Sequence, residues 1–261
     1  MAAMTRNQRL NCMAAILLMT TASILAGSEP LVTNSVGMRL APIPRGQFAM
    51  GSPATEAGRF ADEVRHPVRL TSGFLIGVTE VTQREWKAVM GDFHPSRVKG
   101  DDLPVMGVKW ADAVQFCKKL SEKEGKRYRL PTEAEWEWAC RAGAEAPFAG
   151  GAADEVAWHT GNSGETPHPV ARRKPNAWGL YDMHGNAMEW CSDAYQERLG
   201  RDLVTDPKGP AEDTARVLRG GSFLHRMRAA RCAARHSLMP SYQLQHVGFR
   251  VVMEKPDGGQ Q

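Results

Sequence analysis

Residues 141–178 carry no sustained hydrophobic period and are broken throughout by Gly, Pro, Ala and His. A second unpatterned stretch runs from about residue 196 to 215. A chain with this much irregular backbone cannot satisfy its N–H and C=O groups by helix and ladder pairing alone. It has to fix its loops by disulfides, ions or buried polar networks. That requirement excludes simple helical bundles and regular sheet stacks, and points to one compact α+β domain with more loop than average.

The patterned segments are short. "MRLAPIPRGQFAMGS" alternates loosely between Pro and Gly and predicts a hairpin. "HPVRLTSGFLIGVTEVT" predicts one or two strands. "TQREWKAVMG" predicts a helix with Thr82 as N-cap, Glu85 completing a capping box, and Gly91 as the stop. "GDDLPVMGVKW" reads as a loop entering a short strand. "ADAVQFCKKLSEKEG" predicts a helix ended by Gly125, and "RLPTEAEWEWACRAG" one capped by Thr132 and Glu135, with Trp136, Ala139 and Cys140 on one face. "RVLRGGSF" and "HVGFRVVME" predict strands, and residues 254–261 a polar tail.

The first 27 residues read as a signal peptide: Arg6 and Arg9, then the apolar run "CMAAILLMTTASILAG". The domain is then 28–253, exported to a periplasmic or extracellular site, with no integral membrane segment once the signal is removed. Ser28 stands where a lipoprotein would need Cys. The net charge of +4 falls to +2 without the leader, which argues against nucleic acid as a partner. Four cysteines remain, Cys117, Cys140, Cys191 and Cys232, and their even number suits disulfides in an oxidising compartment. No C-x-x-C pair suggests a zinc knuckle, and no H-x-x-x-H pattern a histidine metal site.

The blocks "GVTEVTQREW", "LPVMGVKWADAVQFC", "RLPTEAEWEWACRAG", "NAWGLYDMHGNAMEW", "RVLRGGSF", "RCAAR" and "GFRVV" cover about residues 35–253. In this order they resemble the sulfatase-modifying-factor family, whose founding activity is the formylglycine-generating enzyme. The resemblance implies a loop-rich, formylglycine-generating-enzyme type of C-type-lectin-like fold, often with bound calcium, and a groove for a peptide or small ligand.

It also implies roles for particular residues. Asp182 and Glu189, with the carbonyls of Gly185 and Ala187, match calcium ligands, and the all-oxygen set suits that ion. Read from the residues alone, Asp182 could instead cap a turn and Glu189 pair with an arginine. Cys140 and Cys232 match a family disulfide. Cys117 matches a half-cystine whose partner position is Val251, so it is either free or paired with Cys191. In the oxidising enzymes two cysteines after "GGS" bind copper(I) and engage the substrate thiol. Here the span "FLHRMRAA" has none, and Met188 stands where the enzymes place a pocket tryptophan, so copper is not expected. Arg216, Arg219, Arg231, Arg235 and Arg250 are expected to pair with acids such as Glu133, Glu135, Glu137 and Asp193. Ser222, His225, Arg226, Arg228 and Met188 are expected to line a groove for an acidic ligand, with solvated surface as the alternative for the arginines. Two functions follow: a calcium-stabilised binding or accessory module that has lost the oxidase, or an oxidase, formylglycine-generating or other, using displaced groups in the same groove.

Overall fold

Backbone pairing in the computed structural model, which describes residues 30–211 and 215–255, is divided among four small sheets. The expected leader (1–27) and the tail beyond Lys255 lie outside the described residues. The first sheet runs in the order β1 (Val32–Thr33), β2 (Arg39–Ile43), β5 (Phe74–Gly77), β14 (Val252–Glu254), β6 (Tyr128–Arg129), every pair antiparallel. The second joins β10 (Val204–Thr205), β4 (His66–Leu70) and β3 (Gly46–Met50). The third orders β12 (His236–Leu238), β11 (Arg216–Arg219), β9 (Met188–Ala194) and β13 (Val247–Gly248), and a two-residue pair joins β7 (Ala157–Trp158) to β8 (His184–Gly185).

The expected hairpin at 38–52 does not form. Its two strands, β2 and β3, enter different sheets. The bend between them is held by Trp138, whose indole N–H donates to the Pro44 carbonyl at 2.9 Å. The same ring lies so close to Gly46 that a Cβ there would come within 2.6 Å. The wedge turns the chain out of the first sheet. The short strand expected before Trp110 is also missing, apart from a single Thr82–Pro104 bridge. Glu254 ends the predicted strand "HVGFRVVME", closes β14 and pairs with Arg129 at 2.8 Å.

The helices start and stop where their caps dictate. In α1 (Gln83–Met90) the Thr82 hydroxyl accepts from Glu85 N–H and the Glu85 carboxylate accepts from Thr82 N–H. α2 (Trp110–Glu124) ends at Gly125, which takes φ +63°. α3 (Glu133–Arg141) has the same reciprocal cap through Thr132 and Glu135. α4 (Ala153–Val156) is a single turn. α1 and α2 meet through Trp86 stacked on Phe116, with Phe249 edge-on to both. α3 buries Trp136, Ala139 and Cys140 in a second cluster with Ile76, Val217 and Val252.

Between these small cores, arginines stand in for missing ladders. Arg219, fully buried, pairs with Glu137 and donates to the carbonyls of Cys232, Ala233 and Ala234. Arg235 forks onto Glu133 at 2.6 and 2.9 Å. Arg250 forks onto Glu189 and donates to the carbonyls of Gly77 and Tyr181. Arg231 takes Glu56 and Glu63, acids the sequence reading did not assign, and the Gly58 carbonyl. Two expected partners differ. Glu135 belongs to Arg129, as the capping box points it back along the chain. Asp193 accepts from Glu133 N–H and Ser192 instead of an arginine, because it faces the N-terminus of α3. Arg216 lies over the Trp110 ring and donates to the Ser192 carbonyl.

Candidate functional site

β9 links the two candidate sites: the loop before it holds Asp182, and its first residue, Met188, donates its N–H to the His246 carbonyl. The loop is tight. Asp182, Gly185 and Asn186 take φ of +55°, +86° and +55°. A Cβ on Gly185 would come within 1.9 Å of the Trp158 carbonyl oxygen, so only glycine fits there. Asp182 Oδ2 accepts from Ala171 N–H at 2.7 Å, while Oδ1 is buried without a donor. Glu80, which the sequence reading did not single out, enters from the loop after β5. Its Oε1 accepts from Ala187 N–H at 3.1 Å and its Oε2 is likewise buried without a donor. Burial, then the charges of Asp182 and Glu189, pushes the Glu80 carboxyl well above its usual range. Burial likewise raises Asp182 to about 6. Two orphaned buried carboxyl oxygens beside one loop are a donor set for a hard cation such as calcium. Glu189 is placed differently from its expected role. Its Oε2 accepts from Trp136 Nε1 and Arg250 Nε, and its Oε1 from Arg250 Nη2. The arginine pairing left open by the sequence is therefore present. The signal for Glu80 was an acid inside the apolar run "FLIGVTEVT".

The groove residues converge around Ser222. Its hydroxyl, fully buried, meets His225 Nδ1 at 2.7 Å and accepts from Leu224 N–H. The His225 ring packs against His236 and His246, at 5.6 and 5.2 Å between centroids. Burial, then the neighbouring His236 and His246, lowers His225 to about 4, so the imidazole is neutral at pH 7. His246 was not foreseen; its carbonyl accepts from Met188 N–H. The Met188 side chain packs into the α1–α2 core rather than opening outward. Arg226 and Arg228 are exposed, the latter over the Phe60 ring at 4.9 Å. Leu224 and Met227 are exposed beside them. Ser222, His225, His236 and His246 thus form one packed cluster, with Leu224, Arg226, Met227 and Arg228 exposed on the chain beside it. No cysteine lies between Ser222 and Arg231.

All four cysteines of the domain are buried thiols. Cys140 and Cys232 are brought together, Sγ to Sγ at 3.5 Å, with no bond formed. Cys117 and Cys191 lie in different core clusters and are not joined. Burial pushes the Cys117 thiol up to about 12, so it behaves as an inert hydrophobe.

Comparison with known proteins places this architecture. The sulfatase-modifying factor enzyme 1-like domain matches residues 34–255. The chain is 32% identical over 213 residues to the chaperone protein LppX of Paenibacillus barcinonensis, covering 61% of this chain and 72% of that one. It is 36% identical over 173 residues to the formylglycine-generating enzyme of Bos taurus, covering 59% of this chain but only 44% of the enzyme. Among solved structures, Treponema denticola variable protein 1 superposes with a TM-score of 0.80 at 31% identity, covering 87% of this chain and all of that one. PvdO from Pseudomonas aeruginosa gives 0.78 at 28%, covering 88% and 99%. With the match running nearly end to end through the described residues, the chain belongs to the sulfatase-modifying-factor, formylglycine-generating-enzyme-like family.

Proposed function

We propose that the protein is an exported binding or accessory member of this family, stabilised by calcium, whose groove at Ser222, His225, Arg226 and Arg228 takes an acidic peptide or small acidic ligand. The observation that carries this reading is the chemistry of the groove. Copper(I) oxidation of a substrate thiol needs soft thiolates. At this place the chain offers His225 hydrogen-bonded to Ser222, and Met227 exposed nearby. Cys232 faces Cys140 and is fully buried. The exposed guanidiniums of Arg226 and Arg228 are free to fork onto carboxylates. LppX, a relative of similar span, carries the name of a chaperone, which suits a binding role. Calcium would be held by Glu80 and Asp182, beside the carbonyls of Gly185 and Ala187, with Glu189 as the Arg250-bound flank; bound there, it supplies charge neutralisation and loop order. In an exported protein, an oxidising compartment would close the Cys140–Cys232 pair to the family disulfide. Among the described residues no helix is long and apolar enough to cross a membrane.

The test has two arms. Binding of a labelled oligoglutamate peptide should saturate, and Arg226→Glu with Arg228→Glu should abolish it without lowering the melting temperature. A copper-loaded sample incubated with a Cys-x-Pro-x-Arg peptide should give no aldehyde by mass spectrometry. Turnover above a metal-only blank favours the oxidase alternative.

A further inference from the structure

Behind the groove, one short segment faces two ways. The 3-10 turn Met227–Ala230 offers its Ala229 carbonyl to His236 on the groove side and its Ala230 carbonyl to His184 on the other. His184 belongs to β8 and is buried. Its Nδ1 lies 2.7 Å from the Ala230 carbonyl oxygen, which can only accept, so Nδ1 carries the proton. Nε2 is then a lone-pair donor. It lies 3.9 Å from Cys140 Sγ and 3.0 Å from Ala149 N–H. Cys140, Cys232 and His184 therefore each present one ligating atom, all within 4.8 Å of one another and all buried.

We propose that the reduced Cys140–Cys232 pair, together with His184, is a binding site for a soft d10 metal ion, copper(I) foremost, distinct from the groove. Three features of the surroundings carry this. The first is the donor set: two thiols and one imidazole with no fourth His, Cys, Asp or Glu ligand in the group. Structural zinc asks for four ligands, whereas copper(I) accepts two sulfurs and a nitrogen. The second is His184, held by a backbone carbonyl in the tautomer that a ligating imidazole needs.

The third is charge. The buried guanidiniums of Arg141 and Arg219, which pair with Glu137 and, for Arg219, also with Glu133 at 3.7 Å, lie on the side of the sulfurs and favour an anionic centre there. A copper(I) ion on two thiolates and a neutral imidazole carries one negative charge. On binding, each thiol releases a proton to solvent and no electron moves. The lone pair of His184 passes from Ala149 N–H to the metal. Ala149 lies in the loop after α3, where Phe148 covers the His184 ring edge-on at 5.4 Å. The disulfide and the metal are alternative states of one pair of sulfurs, chosen by the redox surroundings.

The experiment is a titration of the full chain, reduced under nitrogen, with copper(I) buffered by bathocuproine disulfonate. One equivalent should be captured, with X-ray absorption showing two sulfurs and one nitrogen. Cys140→Ser should lose capture, Cys117→Ser with Cys191→Ser should keep it, and His184→Ala should weaken it by about tenfold or more. Because Cys140→Ser sits in a core, its circular dichroism is compared with that of the double variant. If reduced wild-type protein takes no copper from the competitor, or capture survives Cys140→Ser, the proposal is overturned. A Cys140–Cys232 bond that resists reductant in the folded protein overturns it too, while leaving the groove reading intact.

Discussion

Asp182 makes the calcium proposal quantitative. Burial disfavours its charge and raises its carboxyl to about 6 in the fold, above the ordinary aspartate value of about 3.9. The folded state therefore binds this proton more tightly than the unfolded state does. Below about pH 4 both states are protonated and there is no penalty. As pH rises through 6 the folded protein alone has been holding the proton, so stability falls. A shift of about two units corresponds to about 3 kcal/mol at 1.36 kcal/mol per unit. Glu80, also raised by burial and by the charges of Asp182 and Glu189, adds to the loss in the same direction. A cation that binds the ionised pair cancels the penalty. About 1 kcal/mol of stability is already lost at pH 4.5, so in chelator the melting temperature should drop by about 4–8 °C between pH 4.5 and 8, taking about 2–4 °C per kcal/mol for a domain of this size. Calcium should restore it. Asp182→Asn keeps an acceptor for Ala171 N–H, removes the titrating group, and should flatten that slope. At pH 8 in chelator it should melt above the wild type, and it should no longer respond to calcium. A wild-type melting curve in chelator that is flat from pH 4.5 to 8, or an unchanged calcium response in Asp182→Asn, would refute the reasoning.

Other outcomes follow from the arginine network and the groove. Glu137→Gln strips the carboxylate from two buried guanidiniums and should cost about 3–5 kcal/mol in denaturant unfolding. Thr132→Ala removes one half of the α3 capping box and should cost about 1 kcal/mol by the same assay. His225 is depressed by burial and by its histidine neighbours. Its contribution is present above the ordinary histidine range and lost as pH falls toward 4, so His225→Gln should flatten the acid limb of the stability profile.

How much of this was legible depended on the range of the interaction. The capping boxes at Thr82 and Thr132 are written within four residues, and both helices begin there. That Arg219 and Arg235 meet acids of the 133–137 block was legible, but which acid each takes, Glu137 and Glu133, was not. Glu80 was not legible, because its partners Asp182 and Ala187 lie about a hundred residues away and nothing local marks it except its apolar surroundings. The failed hairpin has the same cause: Pro and Gly mark a turn, but the wedge that separates the strands is Trp138 from a distant helix. His246 joins the groove only because β13 lies parallel to β9, a register no local pattern encodes.

The basic stretch 216–235 now divides by physical role. Arg219, Arg231 and Arg235 are buried and bound to carboxylates and loop carbonyls, and Arg216 is held against Trp110. They fix the irregular chain from inside, as a fold with little ladder pairing demands. Arg226 and Arg228 lie between them on the same stretch yet face outward. The anchoring positions tolerate little, because removing either partner of a buried pair leaves an uncompensated charge. The outward positions, with Leu224 and Met227, carry no such constraint. A chain built this way can exchange the groove's chemistry from thiolates to imidazoles and guanidiniums while its scaffold is unaltered. Charge reversal at Arg226 and Arg228 should therefore change binding and leave folding alone, whereas the same change at Arg219 should prevent folding before binding can be measured.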